Sequence, residues 1–150
     1  VMSTVNIITD LERVGDESSK IARAAKSIKE RGGAILNHFD TVHVIAASTS
    51  AMLHDALDAL ARLDEKQAIR VITHDDGVDH EFRSIMRNLI TFMMEDPRTI
   101  SIALDTLWVA KAIERIGDHA KNIAEYVIYI VEGKDIRHTD YAADNKDSAG

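Results

Sequence analysis

One stretch of this chain occurs twice, and that repeat limits what the chain can fold into. Ala112-Ile113-Glu114-Arg115-Ile116-Gly117-Asp118-His119-Ala120-Lys121-Asn122-Ile123-Ala124 is matched 102 residues earlier by Asp10-Leu11-Glu12-Arg13-Val14-Gly15-Asp16-Glu17-Ser18-Ser19-Lys20-Ile21-Ala22. Six of the 13 positions are identical (Glu, Arg, Gly, Asp, Ile, Ala), and two more exchange Leu or Val for Ile. A recurrence at fixed spacing marks the architectural unit. Only one full interval fits into 150 residues, so this is a duplication rather than an array.

Both copies sit on helical patterns. Ile7, Leu11, Val14, Ser18, Ile21, Ala25 and Ile28 alternate steps of four and three, a heptad-type stripe with a lapse at Ser18. Gly32-Gly33 is the expected stop, with Lys29 and Arg31 near the negative end of the helix dipole. A second helix is expected from Ile35 to Arg62, rich in small residues (Ala46 to Ala51) that allow close approach of its neighbours. Asp64 with Gln67 three residues on reads as a capping box opening a third helix, whose stripe is Val71, Val78, Phe82, Ile85, Leu89 and Phe92. Asp96-Pro97 marks the start of a fourth, since Asp suits the N-cap and Pro the first helical position. Its stripe is Val109, Ile113, Ile116, Ala120, Ile123, Val127 and Ile130, with an expected stop near Gly133 and a polar tail from Thr139 to Gly150 that frays. No strand-like alternation competes. The expected class is an all-α bundle of long antiparallel helices joined by short connections.

Charge and composition narrow the function. A net charge of −7 leaves no basic stripe for phosphate backbones, which argues against a nucleic-acid role and is compatible with cations or basic partners. The absence of cysteine excludes disulfides and thiolate metal sites. The first residues carry no basic segment followed by an apolar core, and the apolar run from Ile123 to Val131 is interrupted by Glu125 and too short for a bilayer. The expected location is therefore cytoplasmic.

Chemistry concentrates on acidic pairs. Glu114 and Asp118 are four apart and share a helix face, as do Glu12 and Asp16 in the first copy and Asp75 and Asp79 in the third helix. With Ile113 and Ile116 on the seam, the pair in the fourth helix is expected to point away from it, and likewise Glu12 and Asp16 beside Leu11 and Val14. Like charges at this spacing cost a bare helix roughly 0.2–0.5 kcal/mol, and a mid-helix glycine about 1 kcal/mol relative to alanine. Gly15, Gly77 and Gly117 each lie inside such a pair. Cation binding would offset the repulsion, and glycine would leave room for close approach. A lone acidic pair is ordinarily a solvated face; its recurrence at matched phase in three helices is what points to a site. Oxygen-only donors favour Mg²⁺, Mn²⁺, Ca²⁺ or iron. His80 and His119 follow motif aspartates, but neighbouring helix positions diverge by about 100°, so both read as supporting or surface residues rather than ligands.

Glu114-Arg115-Ile116-Gly117-Asp118 followed by Asn122-Ile123-Ala124-Glu125, the Asp75/Asp79 pair, and Met93-Met94-Glu95-Asp96-Pro97 together resemble the PhoU family of phosphate-signalling regulators. The resemblance runs from about Val5 to His138. It implies two repeated three-helix bundles, each with an E(D)xxxD motif, and multinuclear metal clusters of iron or zinc, with Mg or Mn as alternatives. Carried over, the metal ligands are Asp75, Asp79, Glu114 and Asp118 in one bundle and Glu12 and Asp16 in the other. The chain departs from the family pattern in one respect: only the last helix of a first bundle (residues 1–33) precedes the complete second bundle (34–138), with the tail at 139–150. A cluster is thus expected at the second bundle, while Glu12 and Asp16 lack the helix carrying their partner pair. Apolar residues Val5, Ile8 and Ile28 on the orphan helix are expected to stay exposed and to favour a homodimer.

The resemblance also implies a role as a metal-binding regulatory adaptor of phosphate homeostasis. Such an adaptor links the Pst phosphate transporter, through its ATPase PstB, to the sensor kinase PhoR, and represses uptake and Pho regulon signalling. It meets the membrane through those partners. No P-loop, Ser/His/Asp motif or Gly-rich phosphate cradle argues for catalysis, so no catalytic residues are assigned. The alternative, a di-metal carboxylate enzyme, would use inward-facing Glu and Glu-x-x-His pairs, and no Glu-x-x-His occurs at the motifs. An inert helical spacer would leave the glycine-interrupted acidic pairs unexplained.

Overall fold

Each stripe needs a partner surface, and the four helices supply one another's. The computed structural model describes the backbone of residues 2–30 and 39–147, with side chains for 4–30 and 40–133. Its elements are α1 (Met2–Glu30), α2 (Phe39–Arg62), α3 (Glu65–Glu95), a 3₁₀ turn (Pro97–Thr99) and α4 (Ile100–Asp147). No strand occurs among the described residues. The expected stop at Gly32-Gly33 lies outside them.

Helices α2, α3 and α4 pack against one another, and α1 rests on α4, which therefore has three neighbours. Its burial is correspondingly broad: besides Val109, Ile113, Ile116, Ala120, Ile123 and Val127, the flanking Ala110, Ala112 and Ala124 are buried. Helix α2 buries Val42, Ile45, Thr49, Met52, Ala56 and Ala59, in steps of three and four. Of its small-residue run only part turns inward. Each fully buried Ile or Met, such as Ile45, Met52 and Ile123, contributes about 1.5–3 kcal/mol.

The connections follow from local chemistry, one of them unannounced. Asp64 caps α3 by accepting from Gln67 N at 3.1 Å, but its own N–H goes to Ala59 O at 3.0 Å, so the capping box is half formed. That second bond, with Leu63 N to Leu60 O at 3.4 Å, closes α2 in the Schellman pattern. Leu63 takes the left-handed conformation (φ 52°) that glycine ordinarily occupies there. Asp96 caps the 3₁₀ turn through Arg98 N at 3.1 Å, and Pro97 occupies the first position as expected.

Three expectations are corrected. Helix α4 does not stop at Gly133 but continues to Asp147, into the segment expected to fray; residues 148–150 lie outside the described ones. On α1 the positions Ile7, Val14, Ile21 and Ile28 face α4, but the alternate seam positions are Asp10, Glu17 and Ala24 rather than Leu11, Ser18 and Ala25. The 3.6-residue period cannot separate two stripes one position apart, and the acids conceal the true one. Ile28, expected to be exposed, is buried, whereas Val5 and Ile8 remain more than half exposed.

Candidate metal centre

Helix α3 buries Ala68, Val71, Asp75, Val78, Phe82, Ile85 and Leu89, in steps of three and four, so Asp75 fills the gap in the apolar stripe. It does not point away from the seam; only 2% of it is exposed. One turn on, the partly buried Asp79 faces the same side. Across from them stands Asp118 of α4. One carboxylate oxygen from each of Asp75, Asp79 and Asp118 lies within 4.8 Å of the others. The off-seam positions of α4 come close to α3 because α4 is enclosed on three sides.

The trio is short of positive charge. Burial, then the neighbouring Asp79, raises the Asp75 carboxyl above its ordinary range, and Lys121 opposes this incompletely from 3.7 Å. Asp118 is pushed up to about 6, first by burial and then by Asp75, Glu114 and Asp79. Asp75 Oδ1 is buried with no hydrogen-bond partner, as is Thr49 Oγ1 on α2. An orphaned buried carboxylate oxygen carries its full desolvation cost. An oxygen-binding cation would relieve both the orphan and the mutual repulsion, so the residues present fit a hard metal ion.

Gly117 adjoins this orphan. A Cβ there would stand 3.7 Å from Asp75 Oδ1, 3.7 Å from Val78 Cγ1 and 3.8 Å from Thr49 Cγ2. Glycine thus keeps a methyl group out of contact with the carboxylate. Gly15 and Gly77 meet nothing within 4 Å. Of the three motif glycines only Gly117 lies in close approach to a neighbour.

The other sequence-derived candidates, Glu114, Glu12 and Asp16, are not part of the trio. Glu114 is partly buried beside it, but both its oxygens are held by Lys111 Nζ, at 3.3 and 3.4 Å. Lys111 in turn lies over the Phe82 ring, 5.2 Å from its centroid. Glu12 and Asp16 are exposed on α1. Asp16 and Asp118 line a cleft of about 400 Å³ between α1 and α4.

Two acids that the motif reading passed over define that interface. Asp10 is buried and accepts from His119 Nδ1 at 2.8 Å and from Asn122 Nδ2 at 3.3 Å. Glu17, also buried, meets Lys20 at 3.1 Å and Arg115 at 3.8 Å. His119 is therefore a clamp between helices rather than a surface residue. The signal lay in the seam itself: continuing 7, 14, 21, 28 with steps of three and four reaches 10 and 17 as readily as 11 and 18.

The PhoU domain profile matches residues 42–127. The chain belongs to the PhoU domain family. The phosphate-specific transport system accessory protein PhoU homolog of Pseudomonas aeruginosa is 46% identical over 138 residues, which make up 92% of this chain and 57% of that protein. The PhoU protein of Escherichia coli K12 is 42% identical over 139 residues, 92% of this chain and 56% of its own length. The crystal structure of PhoU from Pseudomonas aeruginosa superposes with a TM-score of 0.85 at 45% identity, covering 88% of this chain and 63% of that one. The chain thus spans little more than half the length of these relatives. Among the described residues no helix is long and apolar enough to cross a membrane.

Proposed function

We propose that this PhoU chain is a metal-binding regulatory adaptor of phosphate homeostasis rather than an enzyme. The observation that carries the metal reading is the convergence of Asp75, Asp79 and Asp118, one of whose carboxylate oxygens, on Asp75, is buried and unpartnered. In this reading those three residues hold a hard cation such as Mn²⁺, Mg²⁺ or iron, or zinc, and Glu114 joins them once Lys111 gives way. The cation shapes and charges a surface on α3 and α4 and turns over no substrate.

The relatives are named as accessory proteins of the phosphate-specific transport system. That supports docking of this chain, in the cytoplasm, on the Pst transporter ATPase PstB, and negative regulation of uptake and of Pho regulon signalling through the PhoR kinase. Residues 1–33 are read as the last helix of a first bundle and 34–138 as a complete second one. The exposed Val5 and Ile8 favour a homodimer. The di-metal enzyme alternative gains nothing from the geometry, which among the described residues brings three carboxylates together and no histidine.

The test is elemental analysis of protein purified without chelators or metal-affinity resin, alongside Asp79→Ala, followed by capture of PstB and of the PhoR cytoplasmic portion. The expected outcome is bound metal that Asp79→Ala loses, and retention of at least one partner. Metal-free protein that takes up no Mn²⁺, Mg²⁺, iron or zinc on titration would end the metal reading; failure to retain either partner would end the adaptor reading.

A further inference from the structure

The cleft between α1 and α4 is a second feature, and its chemistry differs from that of the carboxylate trio. Three cationic side chains line it from two helices, Arg13 and Lys20 from α1 and Arg115 from α4, alongside the carboxylates of Asp16 and Asp118. Among them stands Glu17, whose side chain is only 9% exposed. Its Oε1 takes the Lys20 ammonium at 3.1 Å and the Arg115 guanidinium at 3.8 Å, while Oε2 is buried with no partner at all. A structural ion-pair network would close its cations on both oxygens. Here Lys20 and Arg115 meet one oxygen of Glu17, Arg13 lines the same cleft of about 400 Å³, and the other Glu17 oxygen stays buried without a partner.

A ligand that satisfies this arrangement must bring acceptor oxygens for the arginines and lysine and an O–H donor for Glu17 Oε2. A protonated oxyanion has both. We infer that the cleft binds a hydrogen phosphate group, its P–OH donating to Glu17 Oε2 and its remaining oxygens accepting from Arg13, Lys20 and Arg115. Charge-assisted bonds from planar guanidinium groups suit such oxygens. Sulfate, which carries no proton at neutral pH, would set its lone pairs against the buried carboxylate.

A second recess of about 280 Å³, bordered by Trp108 and Ala112, shares Glu17, Lys20 and Arg115 with the cleft. Two sources carry this group: free inorganic phosphate, and a monoester whose body fills that recess. Asp118 lines the cleft and also belongs to the carboxylate trio. A cation on the trio would take up the Asp118 charge and lessen its repulsion of an anion next door. Binding at the two places is then reciprocal. That coupling, unlike the oxyanion site itself, rests on the metal reading above.

Calorimetric titration of the full chain, first stripped with chelator and then with Mn²⁺, tests this with inorganic phosphate, sulfate and phenyl phosphate. Inorganic phosphate is expected to bind the stripped protein at least about tenfold more tightly than sulfate, since an unpaired buried charge costs more than a tenfold factor. Mn²⁺ should tighten it further. Glu17→Gln should weaken phosphate and strengthen sulfate, because the amide donates where the carboxylate could not; Arg115→Gln should weaken both, with helicity unchanged by circular dichroism. Phenyl phosphate tighter than inorganic phosphate, with the difference lost in Trp108→Ala, identifies a monoester; equal or weaker binding identifies the free ion. Absence of phosphate binding with and without Mn²⁺, or binding indifferent to Arg115→Gln and Glu17→Gln, overturns the proposal. Phosphate binding without any Mn²⁺ uptake would instead retain the oxyanion site and remove the metal reading.

Discussion

The two copies of the repeated motif share six residues and live in different surroundings. On α4, Asp118 faces α3 and meets Asp75 and Asp79; on α1, Glu12 and Asp16 lie exposed. The difference is one of neighbours, since α4 packs on three helices and α1 rests on one. The places where the copies diverge are instructive too. Asp10 corresponds to Ala112, Glu17 to His119 and Lys20 to Asn122; across the interface Asp10 bonds His119 and Asn122, while Glu17 reaches Arg115 of the shared string. The two copies meet mainly through unmatched residues, with Arg115 a duplicated residue that also takes part.

The sharpest way to break this comparison is to disable each copy in turn. Asp79→Ala/Asp118→Ala is expected to weaken Mn²⁺ binding by about a hundredfold or more, because removing a mere supporting partner of a metal ligand already costs 10–100-fold. Glu12→Ala/Asp16→Ala should leave that affinity within a factor of about two. Equal losses from both double variants, measured by titration of the chelator-stripped protein, would mean that surroundings do not distinguish the copies.

A second prediction concerns the unmatched residues. Asp10→Ala removes the acceptor for His119 and Asn122 in a seam that is poor in large apolar groups. Hydrogen bonds involving a charged partner are worth about 1.5–3 kcal/mol when buried. Hydrogen exchange of α1 amides should therefore accelerate by about tenfold or more, while amides in the middle of α2 and α3 keep their protection. Uniform acceleration throughout would show that α1 is not held separately.

The architecture was legible because apolar periodicity and the Asp96-Pro97 punctuation are local signals. Helix number, order and class followed from them directly. The trio was half legible: the spacing of Asp75 and Asp79 showed a shared face, but the expected stripe ran from Val71 to Val78 without Asp75, because a carboxylate in an apolar stripe reads as an interruption. Glu114 looked equivalent to its neighbour until the fold gave it Lys111. Asp10 and Glu17 were hidden for the same reason as Asp75, and Leu63 carried no glycine to announce its turn. Tertiary position decided each of these, and helical periodicity says nothing of which acid is desolvated.

The raised carboxyls supply a smaller, pH-dependent test. Asp118 titrates near pH 6 in the folded chain, against about 3.9 in an unfolded one. Folding therefore binds a proton between these values, so the stability of metal-free protein should fall as pH rises from about 4 to about 6 and change little more from this group above that. Asp75 is shifted in the same direction. Because Asp118 is not fully buried, screening keeps its contribution modest. Melting in chelator at pH 4.5 and 7 should show the decline, Asp118→Asn should flatten it, and Mn²⁺ should reverse it at pH 7. A slope unchanged in Asp118→Asn would place the repulsion elsewhere.

The smallest expected effect separates the copies at their shared glycine. Alanine at either position gains helix propensity of about 1 kcal/mol at most. At Gly15 nothing lies within 4 Å, so Gly15→Ala should deliver that gain as a higher melting temperature and leave Mn²⁺ affinity alone. At Gly117 the new methyl would lie 3.7 Å from Asp75 Oδ1. It would further desolvate an oxygen that already lacks a partner and occupy space beside the carboxylates. Gly117→Ala should therefore stabilise less than Gly15→Ala in chelator and bind Mn²⁺ severalfold more weakly. Two alanine variants with the same melting temperature and the same affinity would mean that the glycine on α4 is a residue of the duplication and not part of the site.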